Sequence, residues 1–242
     1  MKIKYLFFSA ALGLASFSNV LAFGNPENSS EVAIIENDPA TVIANYIKAV
    51  GGKDKVNAIK NAKLVMEANI QGQVLELSSI ADAENSRMIQ TTSMGGNVLQ
   101  KTMFVNGKAQ VIAGGQVQEL PDETAAMLKP QTFVFPEERY EEMGFTLAYV
   151  GVEQIDGEDV HVLDITAPIG ILTKEYYSVA TGFKVRTSSD ATGEITYSDY
   201  QEVDGIKFPM TMTIKNPMLP VPMEAKIKSI EFNTALTDSD FQ

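Results

Sequence analysis

The first regular pattern in the chain is a run of apolar residues at helical spacing between positions 38 and 52. These residues recur three and four positions apart, as Val42, Ile43, Tyr46, Ile47 and Val50. Asp38 is suited to cap a helix, Pro39 fits its first turn, and the Gly51-Gly52 pair is typical of a helix end. The spacing therefore predicts an amphipathic helix over 39–50, followed by a second, short helix around 54–59.

From residue 62 onward the pattern changes to an alternation of apolar and polar residues in short segments. Leu64, Met66, Ala68 and Ile70 alternate with more polar neighbours, which is typical of a half-buried strand. Turn dipeptides separate many of the later segments, and Asn106-Gly107 is a strong signal for a two-residue hairpin. About a dozen such segments follow one another, so the chain is expected to form one antiparallel sheet.

Two stretches in the middle of the chain interrupt the strand pattern. Residues 121–128 carry Asp122 and Glu123 in their first turn, where acidic side chains favour a helix. Residues 136–143 are acidic and are also expected to be helical. The predicted fold is therefore mainly β with a few helices: one long antiparallel sheet of roughly 11 strands, curled or barrel-like, with about three helices, in one domain over 38–242.

The first 22 residues have the layout of a secretory signal peptide. Lys2 and Lys4 precede an apolar core over 5–14, and Val20-Leu21-Ala22 provides small residues at the cleavage positions. This core is shorter than the roughly 20 apolar residues that a membrane-spanning helix needs. We expect cleavage after Ala22, a flexible N-terminus over 23–37, and a soluble protein that is periplasmic or secreted.

Composition narrows the chemistry that the chain can perform. It has a formal net charge of −12 and no cysteine, so its surface repels nucleic acid and no disulfide framework holds the fold. His161 is the single histidine and lies in an alternating strand pattern, so neither a Ser-His-Asp triad nor a zinc site is expected. The paired acids at 122–123, 137–138 and 141–142 are interpreted as solvated helix faces. No enzyme activity, cofactor or metal is predicted.

Methionine is frequent, with 11 residues in the chain, and it offers a different kind of site. Its unbranched, polarizable side chain suits a surface that adapts to apolar ligands, although it also fills ordinary cores. In a curled sheet, consistently apolar strand faces are expected to point inward, with the helix over 121–128 lying across them as a lid. The predicted ligand-binding residues are Leu64, Met66, Ile70, Met103, Met127, Leu128, Met210 and Met212.

Parts of the sequence resemble a domain that is common in exported proteins of Bacteroidetes-type bacteria. Residues 42–59 resemble its opening, and residues 196–214 together with 236–241 resemble its closing strands. That domain is similar to the outer-membrane lipoprotein-sorting (LolA/LolB-like) proteins, and it also occurs appended to insulinase-type zinc peptidases. The resemblance implies a strongly curved antiparallel half-barrel, lidded by helices, whose concave face shields acyl chains of a lipoprotein or another lipid. Its motifs are structural rather than catalytic.

Two functions of different classes stay open on the sequence alone. The first is a non-enzymatic periplasmic binder or carrier of a hydrophobic small molecule or acyl chain, expected to be a monomer. An envelope lipoprotein or a membrane protein would be its protein partner. The second is a structural or interaction module of the cell envelope, including an accessory domain related to the C-terminal region of insulinase-type peptidases. An open apolar cavity on the concave face favours the first function, and a filled core favours the second.

Overall fold

The computed structural model of this chain describes residues 38–70, 72–190, 193–216 and 221–242. The expected signal peptide over 1–22 and flexible N-terminus over 23–37 lie outside these residues. Within the described ranges the strands form one antiparallel sheet. Its 13 strands are β1 (Asn61–Ile70), β2 (Gln73–Asp82), β3 (Arg87–Met94), β4 (Asn97–Val105), β5 (Lys108–Ala113), β6 (Gln116–Glu119), β7 (Thr146–Ile155), β8 (Glu158–Thr166), β9 (Leu172–Ser178), β10 (Lys184–Ser189), β11 (Gly193–Val203), β12 (Ile206–Lys215) and β13 (Met223–Phe232).

Strands that are neighbours in sequence are mostly neighbours in the sheet. The order is β6-β5-β4-β3-β2-β1-β13-β12-β11-β10-β9-β8-β7, so β6 and β7 form the two edges. In the described part of the chain these edges do not pair with each other, and the sheet is an open, curved half-barrel. The prediction of roughly 11 strands was too low. Very short segments such as β6, with 4 residues, still pair along a full hairpin.

Helix α1 (Pro39–Val50) begins and ends where its sequence predicts. The Asp38 carboxylate accepts a hydrogen bond from a backbone N–H of the first turn. Gly51 ends the helix with a φ of 145°, and a Cβ there would lie 2.8 Å from the carbonyl oxygen of Gly205. Glycine is needed at this position because a side chain would collide with the turn between β11 and β12. The expected second helix forms directly afterwards, as α2 (Lys53–Asn57).

The middle of the chain is less helical than its sequence suggests. Helix α3 (Asp122–Ala126) forms, but of the helix expected over 136–143 only a 3₁₀ helix (Pro136–Arg139) forms, followed by irregular turns. Glu137 and Tyr140, three residues apart, are both buried, and the three-residue repeat of a 3₁₀ turn brings them to the same side. None of the helices in the described ranges is long and apolar enough to cross a membrane.

Helix α1 lies on the concave side of the sheet and buries its apolar face there. Its buried residues share the largest core cluster with Leu163 and Ile165 of β8, Tyr177 of β9 and Ile206 of β12. Phe135, from the segment between β6 and β7, belongs to the same cluster. We call this part of the concave face, defined by these residues under α1, the covered half.

The segment that joins the two edge strands crosses the concave side. Helix α3 contacts β5, the 3₁₀ turn Lys129–Thr132 contacts β2 and β3, and the turn Pro136–Arg139 contacts α1. Because β6 and β7 are at opposite edges of the sheet, this crossing segment (residues 120–145) has to span the half-barrel. It occupies the position where the sequence predicts a lid.

Candidate functional site

The register between strands decides which of the predicted ligand-binding residues share a face. Ala68 of β1 pairs with Ala225 of β13, and Ala225 pairs on its other side with Met212 of β12. Directly paired residues point to the same face of a sheet, and so does every second residue along a strand. The predicted residues that share this face are Leu64, Met66 and Ile70 of β1 and Met210 and Met212 of β12.

These residues surround an apolar cluster that is only partly buried. Its buried members are Ala68, Leu75, Leu77, Ile214, Met223 and Ala225. The half-buried residues of the same face are Met66, Ile70, Met94, Ile195, Met210 and Met212. Met212 and Ile206, which lies under α1, are an even number of positions apart on β12, so this cluster and the covered half belong to one face. We call the part of the concave face formed by this cluster the open half, because several of its side chains are only partly buried.

Leu128 and Met127 lie where the crossing segment meets the sheet. Leu128 is buried in a cluster with Met88 of β3. Met88 pairs with Ala81 of β2, which pairs with Ala62 of β1, so this contact is also on the concave side. Met127 is buried as well. Leu128 therefore anchors the crossing segment to the concave face.

Met103 lies on the other face of the sheet. It pairs with Ile89, which connects through β2 to Lys63 of β1. Lys63 precedes Leu64 on its strand and therefore points away from the concave side. Met103 is buried there in a cluster with Phe241 from the C-terminal 3₁₀ turn. This corrects the expectation that the face of Met103 points inward, and ligand binding by the other seven residues stays a prediction.

A polar band borders the open half on the side of β3 and β4. The Nε2 of Gln90 donates to the Oε1 of Gln131 in the crossing segment over 2.9 Å. Thr102 pairs with Gln90 across the two strands, and its hydroxyl accepts from the Nε2 of Gln100 over 3.3 Å. The concave face is therefore most apolar between β2 and β12, where the methionines of β1 and β12 lie.

The covered half contains a buried ion network. Lys184 of β10 donates to Glu137 of the crossing segment and, over 2.8 Å, to Glu175 of β9. Tyr140 donates to the same Glu175 carboxylate over 2.8 Å, and Tyr177 donates to its other oxygen. All five side chains are buried. The network therefore fastens the crossing segment to β9 and β10.

Sequence reasoning missed this network. Glu137 and Glu138 were interpreted as a solvated helix face, which is wrong for Glu137, since that residue is only 6% exposed. The available signal was Glu175, which alternates with the buried Tyr177 on one strand face. A charge at a buried strand position needs a partner, but the sequence does not identify Lys184 as that partner.

The charged groups in this network shift one another's pKa. Burial raises the pKa of Glu137 above its ordinary value, and the nearby Lys184 ammonium opposes that effect. Burial acts to lower the pKa of Lys184, but the charges of Glu137 and Glu175 outweigh it and raise the pKa. Lys184 is therefore charged at neutral pH, and the oxygen Oε2 of Glu137 has no hydrogen-bond partner among the described residues.

Groups suited to metal binding do not converge in the described ranges. No cluster there brings together three or more histidine, cysteine, aspartate or glutamate side chains that could hold a metal ion. The Nδ1 of His161 lies 3.2 Å from the hydroxyl of Tyr149, and burial lowers the pKa of this histidine.

Comparison with known proteins places the fold. No family model matches this chain, and no curated protein matches it. A DUF1329 family protein from Desulfovibrio piger is 13% identical with a TM-score of 0.55, over 85% of this chain and 98% of that chain. A putative outer membrane lipoprotein-sorting protein domain from Vibrio parahaemolyticus is 13% identical with a TM-score of 0.55, over 85% of this chain and 97% of that chain. A LolA superfamily protein from Nitrosomonas europaea is 10% identical with a TM-score of 0.56, over 84% of this chain and 97% of that chain.

These likenesses establish the fold. The chain has a fold like that of the LolA superfamily and the lipoprotein-sorting domains. This agrees with the half-barrel that the sequence resemblance implies. The link to a domain appended to insulinase-type peptidases stays a prediction.

Proposed function

We propose that this protein is a non-enzymatic binder or carrier of hydrophobic molecules, and that it holds an acyl chain of a lipid or lipoprotein against the open half. The observation that carries the proposal is the half-buried apolar surface around Met66, Ile70 and Met212, on the concave side of a half-barrel. A concave apolar surface with few polar groups is the usual form of a site for apolar ligands.

The two halves of the concave face support this assignment. In the covered half, α1 and the aromatic residues fill the space above the sheet. In the open half, α1 contributes no residue to the apolar cluster. An acyl chain that lies there would gain about 0.8 kcal/mol for each methylene group that it removes from water. Methionine side chains could adjust to chains of different shape.

The setting that we propose is the periplasm or the cell exterior. It rests on the signal-peptide pattern of residues 1–22, which lie outside the described residues. The protein partner would be an envelope lipoprotein or a membrane protein that supplies or receives the acyl chain. The protein is proposed to act as a monomer.

A charged substitution in the open half tests the proposal. We expect Met212→Glu to weaken binding of a fluorescent fatty-acyl probe by about tenfold or more, because binding would bury the unpaired carboxylate beside the acyl chain. Titration of the probe against the wild type and the variant measures this effect. Thermal melts of both proteins establish that the variant is folded.

Thr211→Glu is the matched control. Thr211 is the neighbour of Met212 on β12, is also half-buried, and points to the other face, where it pairs with Lys226 of β13. An added carboxylate at this position faces an opposite charge, so we expect normal probe binding and stability. If a folded Met212→Glu variant binds the probe as well as Thr211→Glu does, the open half is not the site.

The alternative function is a structural or interaction module of the envelope. The packed core of the covered half favours it, because α1 and the aromatic residues cover that part of the concave face. The same titration separates the two functions. A wild-type protein that does not bind the probe would favour the interaction module, including the accessory-domain form of it.

A further inference from the structure

The half-barrel has two ends, because each antiparallel strand runs from one end to the other. One end, which we call the apolar end, is where β1, β3, β5, β8, β10 and β12 end. The other, which we call the charged end, carries the turns at 82–87, 105–108, 155–158, 178–184 and 203–206. The strand register brings the members of each set together at one end of the sheet.

Charge is distributed unequally between the two ends. By sequence, the connections at the apolar end, counted with the strand residue on each side, are 70–73, 94–97, 113–116, 166–172, 189–193 and 215–223. Four of the six contain no charged residue, and Asp190 and Lys215 are the charges of the other two. Every connection at the charged end contains at least one, and in 178–184 that charge is Lys184, which is buried in the covered half. Lys215 and Glu194, which flank the apolar end on β12 and β11, form an ion pair at 2.8 Å. The apolar end is therefore close to neutral in a chain whose formal net charge is −12.

Exposed aliphatic side chains are concentrated at the apolar end. Seven of them lie on its turns or within two residues of them, with exposed fractions between 44% and 65%. They are Val74, Val98, Leu99, Val117, Ile169, Leu172 and Val221. Among the described residues of the charged end, Val179 is the corresponding exposed aliphatic side chain. Groups of exposed apolar residues on a soluble protein mark contact surfaces.

The exposed set adjoins the open half at the hairpin turns. Ile70 and Met94 are the last residues of β1 and β3 at the apolar end, and both belong to the apolar cluster of the open half. Val74 and Val98 follow on the next strands, but they pair with residues of β1 and β3 that point to the other face of the sheet. This end of the sheet therefore carries apolar side chains on both faces.

We propose that the apolar end docks on the surface of a lipid bilayer of zwitterionic headgroups, with its aliphatic side chains in the interfacial region. The side chains project from five separate turns at one end of the sheet, so they can enter one planar boundary together. Interfacial binding of this kind grows with the apolar area that is buried. The chain has a formal net charge of −12 and would be repelled by anionic lipids, so the bilayer that we propose is zwitterionic.

Vesicle binding tests this inference. The triple variant Val74→Ser, Val98→Ser and Leu99→Ser removes three aliphatic side chains of the apolar end. We expect its partition onto vesicles of phosphatidylcholine and phosphatidylethanolamine to fall by about tenfold or more, because each lost side chain removes buried apolar area. Flotation of the full chain with the vesicles measures the partition. Residues 1–37 are the same in every protein compared, so they do not account for a difference.

The matched control is the triple variant Val150→Ser, Val152→Ser and Val179→Ser. These three side chains are exposed by 47% to 50%, much like the test set, but lie on edge strand β7 and at the charged end. We expect this variant to bind vesicles like the wild type. Thermal melts of both variants and their binding of the fatty-acyl probe complete the comparison. Normal melts and probe binding in the test variant would show that docking, and not ligand binding, has been lost.

Three results would overturn the inference. The first is a wild-type protein that does not float with zwitterionic vesicles. The second is a test variant that binds as well as the control variant. The third is flotation only when an envelope protein is embedded in the vesicles, which would make that protein the occupant of the apolar end. None of these results depends on whether the open half binds an acyl chain.

Discussion

The covered and the open half of the concave face use the same sheet in opposite ways. Under α1, aromatic and aliphatic side chains are buried from solvent. Even the charged groups of Lys184, Glu137 and Glu175 are buried and paired there. In the open half, Met66 and Met212 are only partly buried. The comparison shows that burial is deepest under α1, so the covered half is expected to contribute more to the stability of the fold than the open half does.

The largest effect is expected in the covered half, from Lys184→Met. This change leaves Glu137 and Glu175 buried without their cation, and breaking a buried pair in this way costs about 3–5 kcal/mol of unfolding free energy. Urea unfolding measures that loss. Lys174→Met is the control, because its partner Asp164 and Lys174 itself are partly exposed and such pairs contribute about 1 kcal/mol or less. Equal losses in the two variants would contradict the distinction between the halves.

A second comparison uses truncation to alanine. Leu128 is 5% exposed in its contact with Met88, so Leu128→Ala should lower the unfolding free energy by about 2–5 kcal/mol. Met66 is half-buried in the open half, and Met66→Ala should lower it by only about 1 kcal/mol. Chemical denaturation of both variants checks this. A larger loss for Met66→Ala would mean that the open half is a filled core.

The smallest effect is a pH dependence in the covered half. The folded state raises the pKa of Glu137 above its ordinary value of 4.5, mainly by burial, so the folded protein holds that proton more tightly than the unfolded chain does. Unfolding free energy must then fall as pH rises from the ordinary pKa through the folded one. Glu137→Gln cannot titrate and lacks this contribution.

We therefore expect the unfolding free energy of Glu137→Gln, minus that of the wild type, to increase from about pH 4 to about pH 7. Denaturant melts at several pH values in that range measure the difference. A difference that stays level or decreases with pH would contradict the assigned direction of the Glu137 pKa.

Local patterns predicted the parts of the molecule that depend on neighbouring residues. Helix α1 follows from its apolar spacing and from the stop at Gly51, and the hairpins follow from turn dipeptides such as Asn106-Gly107. The crossing segment was harder to predict. Glu137 is buried and accepts a hydrogen bond from Lys184, which lies 47 residues later in the chain. Two adjacent glutamates in an acidic stretch of sequence do not indicate that contact.

The candidate site shows a related limit. Alternation along a strand tells which residues share a face, and it grouped Met210 with Met212 on one face. It does not tell which face is concave. Met103 was assigned to the wrong face because the other side of the sheet is also apolar where Phe241 covers it. Only the pairing of β4 with β3, and onward to β1, resolves that choice.

The central claim, that an acyl chain lies in the open half, is tested most directly by photocrosslinking. A fatty acid with a photoreactive group on its chain is bound to the wild-type protein, irradiated, and located by peptide mass spectrometry. The account predicts crosslinks in β1 (Asn61–Ile70) and β12 (Ile206–Lys215), which fall sharply in Met212→Glu. Crosslinks confined to other strands, or to the face of Met103, would contradict it.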